Sequence, residues 1–236
     1  MMEKKQRRSI CELLGCLMLV AAVGCGSDAP VEEEEPDEVT PESWEIERLF
    51  PSAENEGVEF NGCIYGSPFL YEGGESTSLI TLDAEGELAA LDPDTGAERW
   101  SMTLPAPEGE APLALSQPAR IDDHRIVVAY HTVPGGKDEI DANTTRLSHR
   151  VTVVDLAEGQ VAEDFGTITL EAELPANEDG STVAFRPGHA LSRPDIELGR
   201  AEGDQFGKAY VTMGNTRDIQ PWHGWAVEID LDAWHT

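Results

Sequence analysis

Thiols, positive charge and helical periodicity are all scarce in this chain. Of 236 residues only four are cysteine, namely Cys11, Cys16, Cys25 and Cys63. No Cys-x-x-Cys pair and no Cys/His cluster with zinc spacing occurs, which excludes a disulfide framework or a structural zinc as the support of the fold. Lys and Arg number 16 against 46 Asp and Glu, a formal net charge of −30. Phosphate recognition requires a basic surface, so nucleic acid is excluded as a partner. Neither Gly-x-Ser-x-Gly nor His-Glu-x-x-His is present. The six histidines (His124, His131, His149, His189, His223 and His235) are scattered, and each reads as a polar surface or turn residue rather than a catalytic base.

The N-terminus does carry a leader. Lys4, Lys5, Arg7 and Arg8 form a basic start, residues 13–23 form an uncharged apolar segment bounded by Glu12, and Ala22-Val23-Gly24-Cys25 follows. The segment is well short of the roughly 20 apolar residues of a membrane span. Gly24 supplies the small residue that a signal peptidase admits before its cut, and the Cys25 thiol can accept a diacylglyceryl chain. Cys16, after Leu13-Leu14-Gly15, offers the same chemistry with almost no apolar segment before it. The reading is a lipoprotein signal peptide over 1–24 with lipidation at Cys25, where two or more acyl chains give the stable anchoring that one does not. Residues 25–58, with Glu32, Glu33, Glu34, Glu35, Asp37 and Glu38 interrupted by Pro36 and Pro41, read as an acidic flexible tether. These features imply an exported protein anchored in the bacterial cell envelope, at the outer membrane. Its partners would be the membrane, through Cys25, and an envelope protein. Once the leader is removed and Cys25 acylated, Cys63 is the remaining thiol, and it reads as a small buried hydrophobe.

After Asn61 the pattern is all-β. Short runs rich in Val, Ile, Leu, Thr and Tyr alternate with Gly, Pro and Asp turns. A repeat is visible. Ser67-Pro68, Ser116-Gln117-Pro118 and Ser192-Arg193-Pro194 each open a unit whose first strand is expected at 69–71, 119–121 and 195–198. Second strands are expected at 78–82, 125–132 and 208–213, and third strands, ending on Asp, at 88–92, 151–155 and 225–230. Fourth strands at 97–104 and 160–170 follow the turns Asp92-Pro93-Asp94-Thr95-Gly96 and Asp155-Leu156-Ala157-Glu158-Gly159. Four antiparallel strands repeated in this way make propeller blades. The fold class is therefore a partial β-propeller over 59–236, about three blade units with the last incomplete. Asp92 and Asp94 suggest a calcium loop less well than a hairpin turn, because no acidic residue closes the loop. Asp138, Glu139, Asp141 and Asn143 form a second oxygen-rich stretch, read as solvated.

The stretch Leu88-Ala89-Ala90-Leu91-Asp92-Pro93-Asp94-Thr95-Gly96-Ala97-Glu98-Arg99-Trp100 resembles the repeat of quinoprotein-type, or PQQ-like, β-propellers. Gly214-Asn215-Thr216-Arg217-Asp218-Ile219-Gln220-Pro221-Trp222-His223-Gly224-Trp225 is similar to a segment of some exported members of that group. The resemblance implies that Trp100 docks between adjacent blades. In the second unit Glu163 stands where the Trp is expected, and in the third Trp234 stands where the turn Gly belongs. The family includes quinone-dependent dehydrogenases, whose adjacent Cys pair and calcium-binding carboxylates have no match here. PQQ and calcium would thus be bound only if further blades supplied their site. The resemblance favours a non-catalytic binding or assembly scaffold, with a fragment of a PQQ-dependent dehydrogenase as the alternative. No catalytic, cofactor-binding or metal-binding residue is assigned. Trp222, His223 and Trp225 are candidates for binding a partner, with core packing as the competing role. Fewer than three blades fall short of a closed propeller, so the chain reads as a fragment. The third unit is expected to leave an open edge and an uncovered apolar face.

Overall fold

The computed structural model describes residues 58–73, 76–136, 145–175, 180–191, 193, 196–216 and 223–235. The leader, Cys25 and nearly all of the tether lie outside the described residues, as do Asp138, Glu139, Asp141, Asn143, Ser192, Pro194, Asp195 and Trp222. Among the described residues no helix is long and apolar enough to cross a membrane.

Three antiparallel sheets follow one another along the chain. The first is β1 (Phe69–Gly73), β2 (Ser76–Leu82), β3 (Glu87–Leu91) and β4 (Glu98–Thr103), hydrogen-bonded in that order. The second contains β5 (Glu110–Leu113), β6 (Ala119–Arg120), β7 (Arg125–Pro134), β8 (Ser148–Asp155), β9 (Gln160–Val161) and β10 (Thr167–Thr169). Both β5 and β6 pair with β7 at residues that also pair with β8, so they share the opposite edge of β7. In the same way β9 and β10 share the far edge of β8. The six strands therefore occupy four positions, with the first and last strands interrupted. A hairpin of β11 (Glu173–Pro175) and β12 (Thr182–Ala184) comes next, then a 3-10 turn at Pro187–His189. In the third sheet β13 (Ala190–Leu191) and β14 (Glu197–Gly199) run one after the other along β15 (Lys208–Asn215), which pairs with β16 (Trp225–Asp230) before a short helix α1 (Leu231–Trp234). The architecture is a partial β-propeller of three blades.

The alternation of side chains along β7 explains how the blades stack. Strand neighbours point to opposite faces. Ile126, Val128 and Tyr130, with Val154 and Leu156, pack against Tyr71, Ile80, Leu82, Leu88 and Ala90 of the first blade. Val127 and Ala129, with Val151 and Val153, pack against Ala209, Val211, Met213 and Ile229 of the third. The second blade is thus buried on both faces, and its strands read as continuous apolar runs for that reason. A smaller cluster joins Leu113, Leu115 and Val133 to Ala84 of the first blade and Leu191 of the third. Ala84 lies between β2 and β3, Leu113 in β5 and Leu191 in β13. The Gln117 side chain accepts from Ser67 N–H (3.3 Å), and the Arg193 guanidinium lies 5.8 Å from the Tyr65 ring.

An Asp ends the third strand of each blade and caps the turn that follows. Asp92 Oδ1 accepts from the N–H of Asp94 and Thr95, Asp155 Oδ1 from Ala157 and Glu158, and Asp230 Oδ1 from Ala233. Side chains of this length commonly satisfy turn N–H groups. Gly96 and Gly159 take φ of 72° and 62°, which an L side chain rarely adopts. Arg99 reaches back to Asp92 at 2.7 Å. With the Thr95 donors it holds that carboxyl at about 2. Turn donors and Arg99 thus engage both oxygens of the Asp92 carboxylate.

Several expectations need correction. Cys63 is exposed rather than buried, because it precedes the first sheet and only its carbonyl is engaged, by the Ala84 N–H at 2.8 Å. The fourth strand of the second blade is broken by a turn in which the Phe165 and Gly166 N–H groups both bond the Ala162 carbonyl. In the third blade the strand after Pro194 is described as Glu197–Gly199, and after Asp230 a helical turn forms. Its apolar face is covered by the second blade, while Lys208, Tyr210, Thr212 and Glu228 occupy alternate positions on the other face. His131 and His149 are fully buried, and Trp100 is half-buried rather than enclosed.

Trp100 nevertheless joins two blades. It packs with Phe69 and Met102 on the shared core, and a Cβ placed on Gly159 would come within 2.6 Å of its Cδ2. At the next interface Phe165 meets Trp234 edge-on at 5.5 Å, and Trp234 is the position that matches Gly159 in the repeat. A large side chain over Gly in one interface becomes a smaller ring against Trp in the other. Trp100→Ala is expected to lower stability by about 2 kcal/mol, less than the roughly 3–5 kcal/mol of a fully buried aromatic. Gly159→Ala should cost about 1–3 kcal/mol from the positive φ alone and more from the collision. In urea titrations the double variant should be less destabilised than the sum of the two, because removing the indole removes the collision.

Candidate binding pocket

A cavity of about 240 Å³ opens where the third blade meets the β11–β12 hairpin. Thr182, Val183 and Ala184 of β12 form one wall, and Arg186, just before the 3-10 turn, and His189, its last residue, form a second side. Asn215 at the end of β15, with His223 and Trp225 at the start of β16, completes it. His223 stands two residues before Trp225, the spacing that keeps two side chains on one side of an extended chain. Both sequence candidates that fall within the described residues are therefore brought together here, and Trp222 lies outside those residues.

The local structure holds this arrangement from below. Trp225 packs edge-on against Phe185 at 5.5 Å, and Phe185 approaches His149 at 6.2 Å. Trp225 is thus at once a pocket wall and part of the interblade core, so the competing roles coincide. The 3-10 turn is pinned by Arg146, only 4% exposed, whose Nε and Nη2 donate to the Pro187 and Gly188 carbonyls at 3.3 and 2.9 Å. The His189 carbonyl accepts from Thr216 N–H at 2.9 Å, which ties the turn to the end of β15. These contacts fix the positions of Arg186 and His189 relative to His223.

Arg186, His189 and Asn215 escaped sequence reasoning. The available signal was local charge. Residues 185–189 carry an Arg and a His and no carboxylate, in a chain where acidic residues outnumber Lys and Arg by 46 to 16. Thr182 Oγ1 donates to Glu173 across the hairpin at 2.5 Å, and Glu173 lines a neighbouring cavity with Leu147, Leu170 and Phe185 instead. The pocket lining offers a guanidinium, two imidazoles, an amide and an indole, a set able to donate hydrogen bonds and to cover a flat apolar surface. Among the described residues no group of three or more His, Cys, Asp and Glu is placed to hold a metal ion.

Beneath the pocket, His131 and His149 face each other across β7 and β8 with ring centroids 4.2 Å apart. Burial, then the positive charge of Arg146, pulls His149 down to about 4. Burial, then His149 and Arg146, pulls His131 well below the ordinary imidazole value. Both rings are neutral in the folded protein at neutral pH. An unfolded imidazole takes a proton near pH 6.5, so below that value the unfolded chain binds protons that the folded one refuses. Stability is expected to fall as pH drops from about 6.5 towards 4, by up to roughly 1.4 kcal/mol per pH unit for each ring. Thermal melts between pH 7.5 and 5 should show this slope, and the His131→Gln/His149→Gln variant should flatten it.

No protein-family model matches the chain, and no curated protein does. Among solved structures, BamB from Moraxella catarrhalis aligns over 72% of this chain and 77% of that one, at 12% identity and a TM-score of 0.19. A superposition this poor carries no argument about fold or function.

Proposed function

We propose that the protein is a lipid-anchored, non-catalytic β-propeller of the PQQ-like repeat type that binds a partner in the cell envelope. The observation that supports it best is the pocket at the outer end of the third blade. It gathers His223 and Trp225 with Arg186 and His189 at a junction of loops, where scaffolds of rigid strands present binding residues. The basic start, apolar segment and Gly24-Cys25 support the anchor. The acidic tether supports a domain held away from the lipid surface, since its like charges extend it. The chain's formal charge of −30 disfavours anionic lipid as a ligand, which leaves the acyl chains as the means of attachment.

Two measurements test this reading. Cys25→Ser should abolish incorporation of a palmitate analogue and leave the leader uncleaved, whereas continued labelling would move the acylation site to Cys16. In intact cells, a photo-crosslinker placed at Thr182, beside the pocket, should capture an envelope protein. The same group at Thr212, on the polar far face of the third blade, should not. Equal capture from both positions, or from neither, would contradict a binding role for the pocket end.

A further inference from the structure

The pocket has a chemical bias that the envelope-scaffold reading does not require. Of its nine described lining residues three are Arg or His and none is Asp or Glu. The whole chain holds 16 Lys and Arg and six His against 46 acidic residues, so carboxylates would outnumber cationic and imidazole groups on a surface chosen without bias. Arg186 is exposed and makes no ion pair with any described residue, whereas two other guanidiniums are held by carboxylates. Arg99 is paired with Asp92, and Arg125 with Asp122 and Asp164. A planar fork of donors with no ion-pair partner among the described residues, set beside two imidazoles, is suited to an oxyanion, which a guanidinium binds through two parallel hydrogen bonds. Imidazole supplies an N–H donor in either protonation state.

Size and shape narrow the ligand. A cavity of about 150 Å³ accommodates benzene, so about 240 Å³ has room for one ring and a charged group. Trp225, braced by Phe185, offers an aromatic surface against which a flat or apolar body can lie. Arg146 and the Thr216 bond to the His189 carbonyl hold the cationic wall in place before any ligand arrives, and such preorganisation lowers the cost of binding.

We propose that this pocket binds a small organic oxyanion, a carboxylate or phosphate ester attached to a flat apolar group, with Arg186, His189 and His223 holding the charge and Trp225 the apolar part. The assignment rests on the pocket being the binding site of the domain and deepens that reading. Calorimetry on the full-length chain in detergent, with benzoate and phenyl phosphate as probes, tests it, and benzyl alcohol and benzylammonium serve as controls of like shape. Either anion should bind saturably, and the tighter of the two identifies the oxyanion. In NMR spectra the ring protons of His189 and His223 should shift on binding. Arg186→Gln, a change at an exposed side chain, should weaken the anion at least tenfold without altering the melting temperature. Absence of binding by both anions, equal binding of the neutral or cationic control, or an unchanged affinity in Arg186→Gln would overturn the proposal. If the anions fail while crosslinking from position 182 still captures a protein, only the ligand assignment falls. If they bind while capture fails, the scaffold reading falls and the pocket assignment stands.

Discussion

Everything in this domain depends on the second blade being buried on both faces. An isolated sheet can leave one face in water, and its strands then alternate apolar and polar. Strands β7 and β8 have no such face. Ile126, Val128 and Tyr130 serve the first interblade core, and Val127 and Ala129 serve the second. A slip of one residue in register would exchange the two sets and turn the paired rings of His131 and His149 to the opposite face of the sheet. Register is therefore specified twice, once by each neighbour. The cost appears in the histidine pair, which stays neutral because no water reaches it.

The interfaces themselves are solved by exchange of size rather than by repetition. The backbone device is the same in all three blades: an Asp at the end of the third strand accepts turn N–H groups and sets the direction of the chain. What stands above that turn differs. Trp100 lies on Gly159, whereas Phe165 stands edge-on to Trp234 and also meets Phe206 at 5.2 Å. Arg125 links these rings to charge, since its guanidinium lies 5.4 Å from the Phe206 ring and pairs with Asp122 and Asp164. Close packing leaves little tolerance for a change in volume at one side of a contact without a matching change at the other.

Much of this was legible because it is local. The second and third strands of each unit and the Asp-capped turns follow from period-two patterning and from turn chemistry, both contained in short stretches of sequence, and the docking role of Trp100 came from the likeness of one such stretch to a known repeat. The pairing of Trp234 with Phe165 was not legible, because Trp234 looked like a defect in the repeat and its partner lies 69 residues earlier in the chain. Burial of His131 and His149 escaped for a related reason. An imidazole in a strand reads as polar until the neighbouring blade that covers it is known. The β11–β12 hairpin and the broken strands at the edges of the second blade are too short to carry a periodic signal. Cys63 was misplaced because a small apolar residue near a strand says little about which side of the chain faces solvent. Half of the candidate site, His223 and Trp225, came from motif likeness, and the other half came from a turn that Arg146 holds from a distant part of the chain.

Hydrogen exchange on the intact chain, resolved strand by strand, reads the sandwiching of the second blade directly. Amides of residues 126–132 and 151–154 should be the slowest to exchange, opening only with global unfolding, while β1, β11, β12 and β16 exchange sooner. Exchange of β7 and β8 at the rate of β16 would mean that the second blade is not clamped between two cores, and the stacking described here would be contradicted.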